Sequence, residues 1–312
     1  MIDRPLSILC IASKLLEKAV YVQLEAYLIE QGLLYELQSG FRKSFSTDTC
    51  LIHLGDYIRE QMSLGFYTGM VLLDLQKAFD TVDHVILCKK LKTMGVNSYL
   101  GERKQIVCVN GNESEPLTVS CGVPQGSILG PLLILCYVND MAGCVDCKLL
   151  LYADDSALLV SGKDPNVIST ALGKNLDICQ KWLVDNKLSL HLGKTESILF
   201  GTKRKLNEVN SFSVCSGDTK LSSSKTVQYL GVKLDEPLSG DEITRDIISK
   251  ASAWLKFIYR QANCLNMASR KLLCSSLIMC HFDYASSMWY SSLSFFTNTD
   301  SRQCKTKLYV SF

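Results

Sequence analysis

Three aspartates stand where carboxylates are costly. Asp74 closes the apolar run Gly69-Met70-Val71-Leu72-Leu73. Asp154 and Asp155 sit side by side between Leu149-Leu150-Leu151-Tyr152-Ala153 and Ser156-Ala157-Leu158-Leu159-Val160. A carboxylate at the end of a buried strand is expensive to desolvate, and several brought together repel one another unless a cation lies between them. Hard oxygen donors with no histidine or cysteine nearby favour Mg²⁺ over zinc. Two such ions about 3.5–4 Å apart can activate an attacking hydroxyl and stabilise a leaving pyrophosphate, which is phosphoryl transfer by positioning and charge. Asp pairs are also common in solvated turns, so residue type and spacing by themselves leave both readings open.

The elements that must position these side chains follow from hydrophobic periodicity. Leu15, Leu16, Ala19, Val20, Leu24, Tyr27 and Leu28 recur at three and four, predicting an amphipathic helix over 12–31 that stops at Gly32. A second helix is expected over 47–63. Between them Gln38-Ser39-Gly40-Phe41-Arg42-Lys43-Ser44 reads as a polar loop with two cations. The run 69–74 reads as a buried strand, and Asp83 as the cap of a helix ending at Gly95. Residues 108–110 and 117–120 read as hairpin strands around Asn110-Gly111-Asn112. Gly122-Val123-Pro124-Gln125-Gly126-Ser127 punctuates the chain before an apolar helix reaching about Met141. The segment 148–160 reads as a hairpin with Asp-Asp near its turn. A helix follows with Asp164 as N-cap and Pro165 at its first position, burying Leu172, Leu176, Cys179 and Leu183. Strands are expected over 194–200 and 227–232, a linker over 235–240, and helix from there to about Cys280. The order is that of an α+β unit with a helical appendage.

Composition bounds the possibilities. With 312 residues the chain is long enough for two globular units. A net charge of +2, with 47% hydrophobic and 21% charged residues, excludes collagen, coiled coil and disorder as the main state. The 14 cysteines are scattered, which fits a reduced, intracellular compartment better than a disulfide framework. Cys144 and Cys147 have zinc-like spacing, but the histidines (His53, His84, His191, His281) lie far off in sequence. The longest apolar stretch, 132–138, is too short to span a bilayer. Met-Ile-Asp-Arg-Pro resembles neither a secretory signal nor a transit peptide, and Lys203-Arg204-Lys205 is too short to decide between nucleus and cytoplasm. The small net charge hides basic segments: eight basic against three acidic residues over 187–233, and nine against five over 241–312. Such stretches can track phosphates.

Several blocks, in order, carry a resemblance. Leu73-Asp74-Leu75-Gln76-Lys77-Ala78-Phe79-Asp80, Gly122-Val123-Pro124-Gln125-Gly126-Ser127 and Tyr152-Ala153-Asp154-Asp155 together resemble the palm of a reverse transcriptase of the non-LTR, LINE-like retrotransposon type. Asp80-Thr81-Val82-Asp83-His84, Gly40-Phe41-Arg42 with Ser46-Thr47, and Tyr229-Leu230-Gly231-Val232 are similar to that type as well. Tyr-x-Asp-Asp alone is weak; matching blocks in order over about residues 4–289 are specific.

The resemblance implies a right-hand polymerase: α+β, an antiparallel palm sheet with helices, partial fingers over 1–66, palm over 67–234 and a helical thumb over 240–290, with a tail over 291–312. The reverse transcriptase domain would cover about 1–234. It implies an RNA-directed DNA polymerase that adds deoxynucleotides to a DNA primer on an RNA template, with no membrane association. Asp74 and Asp154 would hold two Mg²⁺ ions, for which Mn²⁺ can substitute. Asp155 would support the site, and the Leu75 carbonyl would be a further ligand. Phe79 falls at the steric gate, where a ring under the sugar rejects a 2′-hydroxyl, and so speaks against an RNA polymerase. Arg4, Gln125 and Lys194 would face the nucleotide, Lys194 as a proton donor to pyrophosphate. Arg42 and Gly126 would face the template, and Tyr229, Leu230 and Gly231, in a hairpin over 229–232, would steady the primer end. Three departures are expected to matter: no fingers strand precedes Arg4, the family's Trp-containing helix is shortened between Met94 and Tyr99, and no endonuclease precedes the polymerase. A truncated element is thus the expectation, and an inactive nucleic-acid-binding remnant the alternative.

Overall fold

The computed structural model describes residues 10–76, 78–96, 104–106, 108–109, 112–124, 126–217 and 219–289. Two compact units are built from interleaved segments. One takes the described residues up to Ser44 with Leu72–Leu158 and Gly173–Thr195; the other takes Phe45–Val71, Leu159–Leu172 and the described residues from Glu196 onward.

Helix α1 (Ile11–Glu30) ends where the periodicity breaks, at Gln31 before Gly32. Helix α2 (Thr47–Ser63) starts on a reciprocal cap: Thr49 N–H donates to Ser46 Oγ and Ser46 N–H to Thr49 Oγ1. Strand β1 (Tyr67–Gln76) is the buried apolar run that ends past Asp74. After one turn, α3 (Ala78–Thr81), comes α4 (His84–Thr93), capped as expected: Asp83 Oδ1 accepts from Val85 and Ile86 N–H at 2.9 and 3.0 Å. Four short strands follow: β2 (Lys104–Gln105), β3 (Cys108–Val109), β4 (Asn112–Glu113) and β5 (Leu117–Thr118). Here one expectation is corrected. Residues 108–109 pair with 112–113, while 117–118 pair with 104–105. The pair Val109↔Asn112 leaves two residues between the strands, the loop length a tight hairpin needs, so the outer pairing moves upstream.

Helix α5 (Gly130–Val138) is buried on all sides and continues as a 3₁₀ turn to Gly143. Strands β6 (Lys148–Tyr152) and β7 (Asp155–Gly162) are adjacent and joined by Ala153-Asp154, so they are antiparallel. Helix α6 (Pro165–Asp185) opens with Asp164 Oδ1 accepting from Asn166 N–H, and its Leu172, Leu176, Cys179 and Leu183 are buried. Strands β8 (Ser189–Leu190) and β9 (Glu196–Phe200) complete a sheet ordered β6-β7-β1-β8, with β9 also paired to β1.

In the first unit, α5 packs against α4. Lys90 of α4 reaches between α5 and α6: its Nζ donates to the Tyr137 carbonyl and to Asp140 at 2.6 Å each and lies 4.6 Å from the Trp182 ring centre. Burial pushes this ammonium's pKa down, while Asp140 opposes the shift.

In the second unit, α7 (Lys203–Leu206) precedes two hairpins, β10 (Ser213–Ser216) with β11 (Thr219–Ser222) and β12 (Thr226–Tyr229) with β13 (Val232–Asp235). The stretch 227–232, which periodicity suggests as one strand, is thus a hairpin, the form the resemblance implies for 229–232. Its Leu230-Gly231 link has φ of 47° and 77°, a turn with left-handed backbone at both central residues. The expected linker over 235–240 is a closed turn: Asp235 Oδ2 accepts from Ser239 N–H and Oγ, and Oδ1 from Gly240 N–H. Helix α8 (Asp241–Arg260) buries Ile243, Ile247, Ala251 and Ile258 along one stripe. A further helical run, α9 (Met267–Cys274), a π-turn, and α10 (Cys280–Asp283), packs on it, and α11 (Ser286–Trp289) packs on α2. Among the described residues no helix is long and apolar enough to cross a membrane.

The Asp83 cap yields a test. Lys187 donates to its Oδ2 at 2.6 Å, and that bond, with the two backbone N–H groups, holds the carboxyl pKa below its usual value. A depressed pKa means stabilisation that is present above the ordinary carboxylate range and lost as pH falls through the lowered value. In urea unfolding at pH 7, Asp83→Ala should cost about 1–2 kcal/mol, and the gap to the unaltered protein should narrow below about pH 4. A gap of equal size at pH 3 and pH 7 would contradict the assignment.

Candidate active site

Strand β1 delivers Asp74 with its neighbours Leu73 and Leu75 turned into the core at 2% and 5% exposure, as period-two alternation requires. The backbone is pinned from β8. His191 N–H donates to the Asp74 carbonyl at 2.9 Å, and Leu75 lies opposite Leu190. In an antiparallel ladder this makes Leu75–Leu190 a non-hydrogen-bonded pair. The Leu75 carbonyl therefore points away from β8, to the side on which β7 pairs.

Asp154 and Asp155 come from the β6–β7 hairpin. Ala153, the first turn residue, has φ of 58°, a left-handed conformation that costs a non-glycine residue about 1–2 kcal/mol. What holds it is the chain at 37–40, most of it in the segment 38–44 read as a polar loop. Instead, Gln38, Ser39 and Gly40 are buried. Ser39 N–H donates to the Leu151 carbonyl and Leu151 N–H to the Leu37 carbonyl, a parallel bridge along β6. Gln38 Oε1 accepts from both Gly40 and Ala153 N–H. A Cβ on Gly40 would lie 2.3 Å from the Ala153 nitrogen, so only glycine allows this approach.

The three carboxylates are electrically coupled. Loss of surrounding water, then the charges of Asp154 and Asp74, raise the Asp155 pKa to about 6, although part of its surface meets solvent. The compensating cation is Lys194, whose Nζ lies 3.1 Å from Asp74 Oδ2. It is presented by a 3₁₀ turn in which the His191 carbonyl accepts from Lys194 and Thr195 N–H. Among the described residues, no three His, Cys, Asp or Glu side chains converge closely enough to enclose a metal ion, Cys144 and Cys147 included. The donor chemistry nonetheless fits a hard divalent cation: oxygen-only side chains, mutually repelling, with a carbonyl turned to the same side.

Phe79 is half-buried in the first turn of α3. Its carbonyl accepts from Val123 N–H at 2.8 Å, and its ring meets Phe41 edge-on at 6.1 Å. Gly122 N–H bonds the Val82 carbonyl, and His84 Nε2 donates to the Gly122 carbonyl at 2.7 Å. Gly122 has φ of 83°, and a Cβ there would press on the Asp80 carbonyl at 3.0 Å. The turn carrying Gly126 is thus stapled to the segment carrying Phe79. Arg4 and Gln125 lie outside the described residues. Arg42 bonds back to its own loop, from Nη1 to the Tyr35 and Gln38 carbonyls.

In the second unit Tyr229 is buried with its hydroxyl 3.4 Å from Cys50 Sγ, Gly231 is exposed, and Tyr284 donates to the Leu230 carbonyl at 2.6 Å. Residues that spacing did not reveal are therefore Gln38, Gly40, His84 and the His191 backbone. Gly40 and His84 fall in blocks that carry the resemblance, and the Gln-x-Gly pair adds a local signal, a glycine two residues from a side chain able to fold back on its N–H.

A family model described as reverse transcriptase (RNA-dependent DNA polymerase) matches residues 3–234. Similar curated proteins include a probable RNA-directed DNA polymerase from transposon BS of Drosophila melanogaster, 33% identical over 76% of this chain and 28% of that protein. Another is the RNA-directed DNA polymerase from mobile element jockey of Drosophila funebris, 30% identical over 76% of this chain and 27% of that protein. The chain spans under a third of the length of these two relatives. Among solved structures, telomerase from Candida albicans in complex with a fragment of telomeric RNA aligns with a TM-score of 0.48 at 14% identity, over 91% of this chain and 49% of that one.

The crowding around Asp155 has a measurable consequence. Its folded pKa is raised, so the native state keeps a proton that the unfolded chain releases near pH 4, and stability falls as pH rises from about 4 to about 6. In the presence of EDTA, Asp155→Asn should melt at the same temperature as the unaltered protein at pH 4 and higher at pH 7. A difference independent of pH would refute the coupling.

Proposed function

Because the chain belongs to the reverse transcriptase family, we propose that it is the RNA-directed DNA polymerase portion of a non-LTR retrotransposon protein, extending a DNA primer on an RNA template with deoxynucleoside triphosphates. The observation that carries this reading is the electrostatic coupling of Asp74, Asp154 and Asp155, delivered by two neighbouring strands, beside Lys194 paired to Asp74.

The family uses divalent metal ions, and on this reading Asp74, Asp154 and the Leu75 carbonyl hold two Mg²⁺, with Asp155 in support. Bound there, the ions would supply charge for the attacking 3′-hydroxyl and the departing pyrophosphate. The protein's own groups do the rest. Lys194 leaves Asp74 for the triphosphate and holds a proton at Nζ for the leaving group. Phe79, with its ring edge-on to Phe41, excludes a 2′-hydroxyl by shape. The stapled Gly122–Gly126 turn sets the template side, with Gln125 and Arg4 assigned to the nucleotide by resemblance. Arg42 acts on the template by bracing its loop. The Leu230-Gly231 turn, exposed at Gly231, meets the primer end with its backbone, while buried Tyr229 anchors it. Residues up to 66 are fingers, 67–234 palm and 240–290 thumb; basic side chains along 187–233 and in the thumb support tracking of phosphates.

Primer extension on an RNA template tests this. Product should require Mg²⁺ or Mn²⁺ and fall at least about 10²-fold in Asp154→Ala. RNA binding without extension in either metal would overturn the reading in favour of a binding remnant. If Phe79 is the gate, Phe79→Val should raise ribonucleotide relative to deoxynucleotide incorporation at least about 10-fold, the scale of discrimination by shape in an apolar pocket; an unchanged ratio would remove it from that role.

A further inference from the structure

We propose that Gln38 is a positioning residue that fixes the Ala153 turn, and through it Asp154 and Asp155, in the geometry the site uses. The inference rests on the polymerase reading for what the carboxylates do, but on separate observations for Gln38 itself.

The Ala153 N–H is buried with its residue at 4% exposure, and a buried backbone donor must be satisfied. Gln38 Oε1 satisfies it at 3.2 Å, while the same oxygen takes the Gly40 N–H at 2.9 Å. Both neighbours are donors, so the amide oxygen, not its nitrogen, must face them. The Gln38 side chain is itself buried, and its Nε2 has no hydrogen-bond partner among the described residues. An amide kept in the interior with half its bonding capacity unused is a poor choice for stability alone. Its position explains it. The turn it grips has a left-handed alanine at its first position and two adjacent carboxylates after it, so backbone strain and like-charge repulsion both favour opening. The parallel bridge between Gln38 and Leu151 fixes the register from which the amide reaches Ala153, and Gly40 keeps the space open.

The test uses the full chain with three readouts: Mn²⁺ affinity from the electron paramagnetic resonance signal of the free ion, primer-extension kcat and deoxynucleotide KM, and thermal unfolding. Gln38→Leu keeps the volume and removes the acceptor. Gln38→Asn retracts the amide by one methylene. Gln38→Glu retains an acceptor oxygen in either protonation state. We expect Gln38→Leu and Gln38→Asn to weaken Mn²⁺ binding about 10- to 100-fold, the cost typical of a lost outer-shell partner. Their kcat should fall about 10²-fold with KM little changed, and Gln38→Glu should restore kcat to within about tenfold of the unaltered protein. Should Gln38→Leu fail to fold, the Gln38→Asn and Gln38→Glu pair decides by the same criteria. Mn²⁺ affinity and kcat within twofold of the unaltered chain in Gln38→Asn would overturn the proposal, as would a failure of Gln38→Glu to restore kcat. If the unaltered chain binds Mn²⁺ but extends no primer, the polymerase reading falls and the Mn²⁺ affinities alone decide the role of Gln38. A chain that neither binds Mn²⁺ nor extends overturns both.

Discussion

Repulsion among Asp74, Asp154 and Asp155 is the constraint around which the first unit is organised. Like charges at short range in a partly dehydrated place are unstable unless the scaffold forces them together or a cation intervenes. Here the scaffold forces them. Asp74 is held by the ladder from His191, and Asp155 begins the strand paired beside it. The coupling shows in the Asp155 proton, retained to about pH 6. Lys194 supplies one positive charge from an exposed position, enough to offset one of the three carboxylates. The arrangement is poised for hard cations rather than for stability.

Backbone groups, not side-chain contacts, do most of the positioning. Two loops that lack regular structure are tied at every step: 37–40 to β6, and 120–123 to 79–84. Each tie relies on a glycine that lets two backbones approach, Gly40 against Ala153 and Gly122 against Asp80. The ties join the two aromatic rings at 41 and 79, the segment 120–123 and the acidic hairpin into one assembly. Loops on a site gain precision when their amides are satisfied by the rigid sheet beneath them.

Much of this was legible in the residue order because the acidic side chains interrupt apolar runs, which fixes their strands, and because Asp83 and Asp164 cap helices where capping residues should stand. Burial of Gln38-Ser39-Gly40 was not legible. It arises from pairing with a strand more than a hundred residues away, and a polar segment carries no periodicity to announce that. The β10–β11 hairpin escaped notice for a related reason: Ser213-Val214-Cys215-Ser216 and Thr219-Lys220-Leu221-Ser222 hold one large buried apolar residue each, Val214 and Leu221. The turn within 227–232 was hidden from periodicity because Leu230, a branched residue, occupies a backbone conformation normally left to glycine or asparagine; only the resemblance pointed to a hairpin there.

The most direct test of the carboxylate account is anomalous diffraction from crystals of this chain soaked in Mn²⁺. The account predicts density ligated by Asp74 and Asp154, with the Lys194 ammonium withdrawn from Asp74. Crystals saturated with Mn²⁺ that show no ion between these side chains, and Lys194 still paired to Asp74, would contradict it.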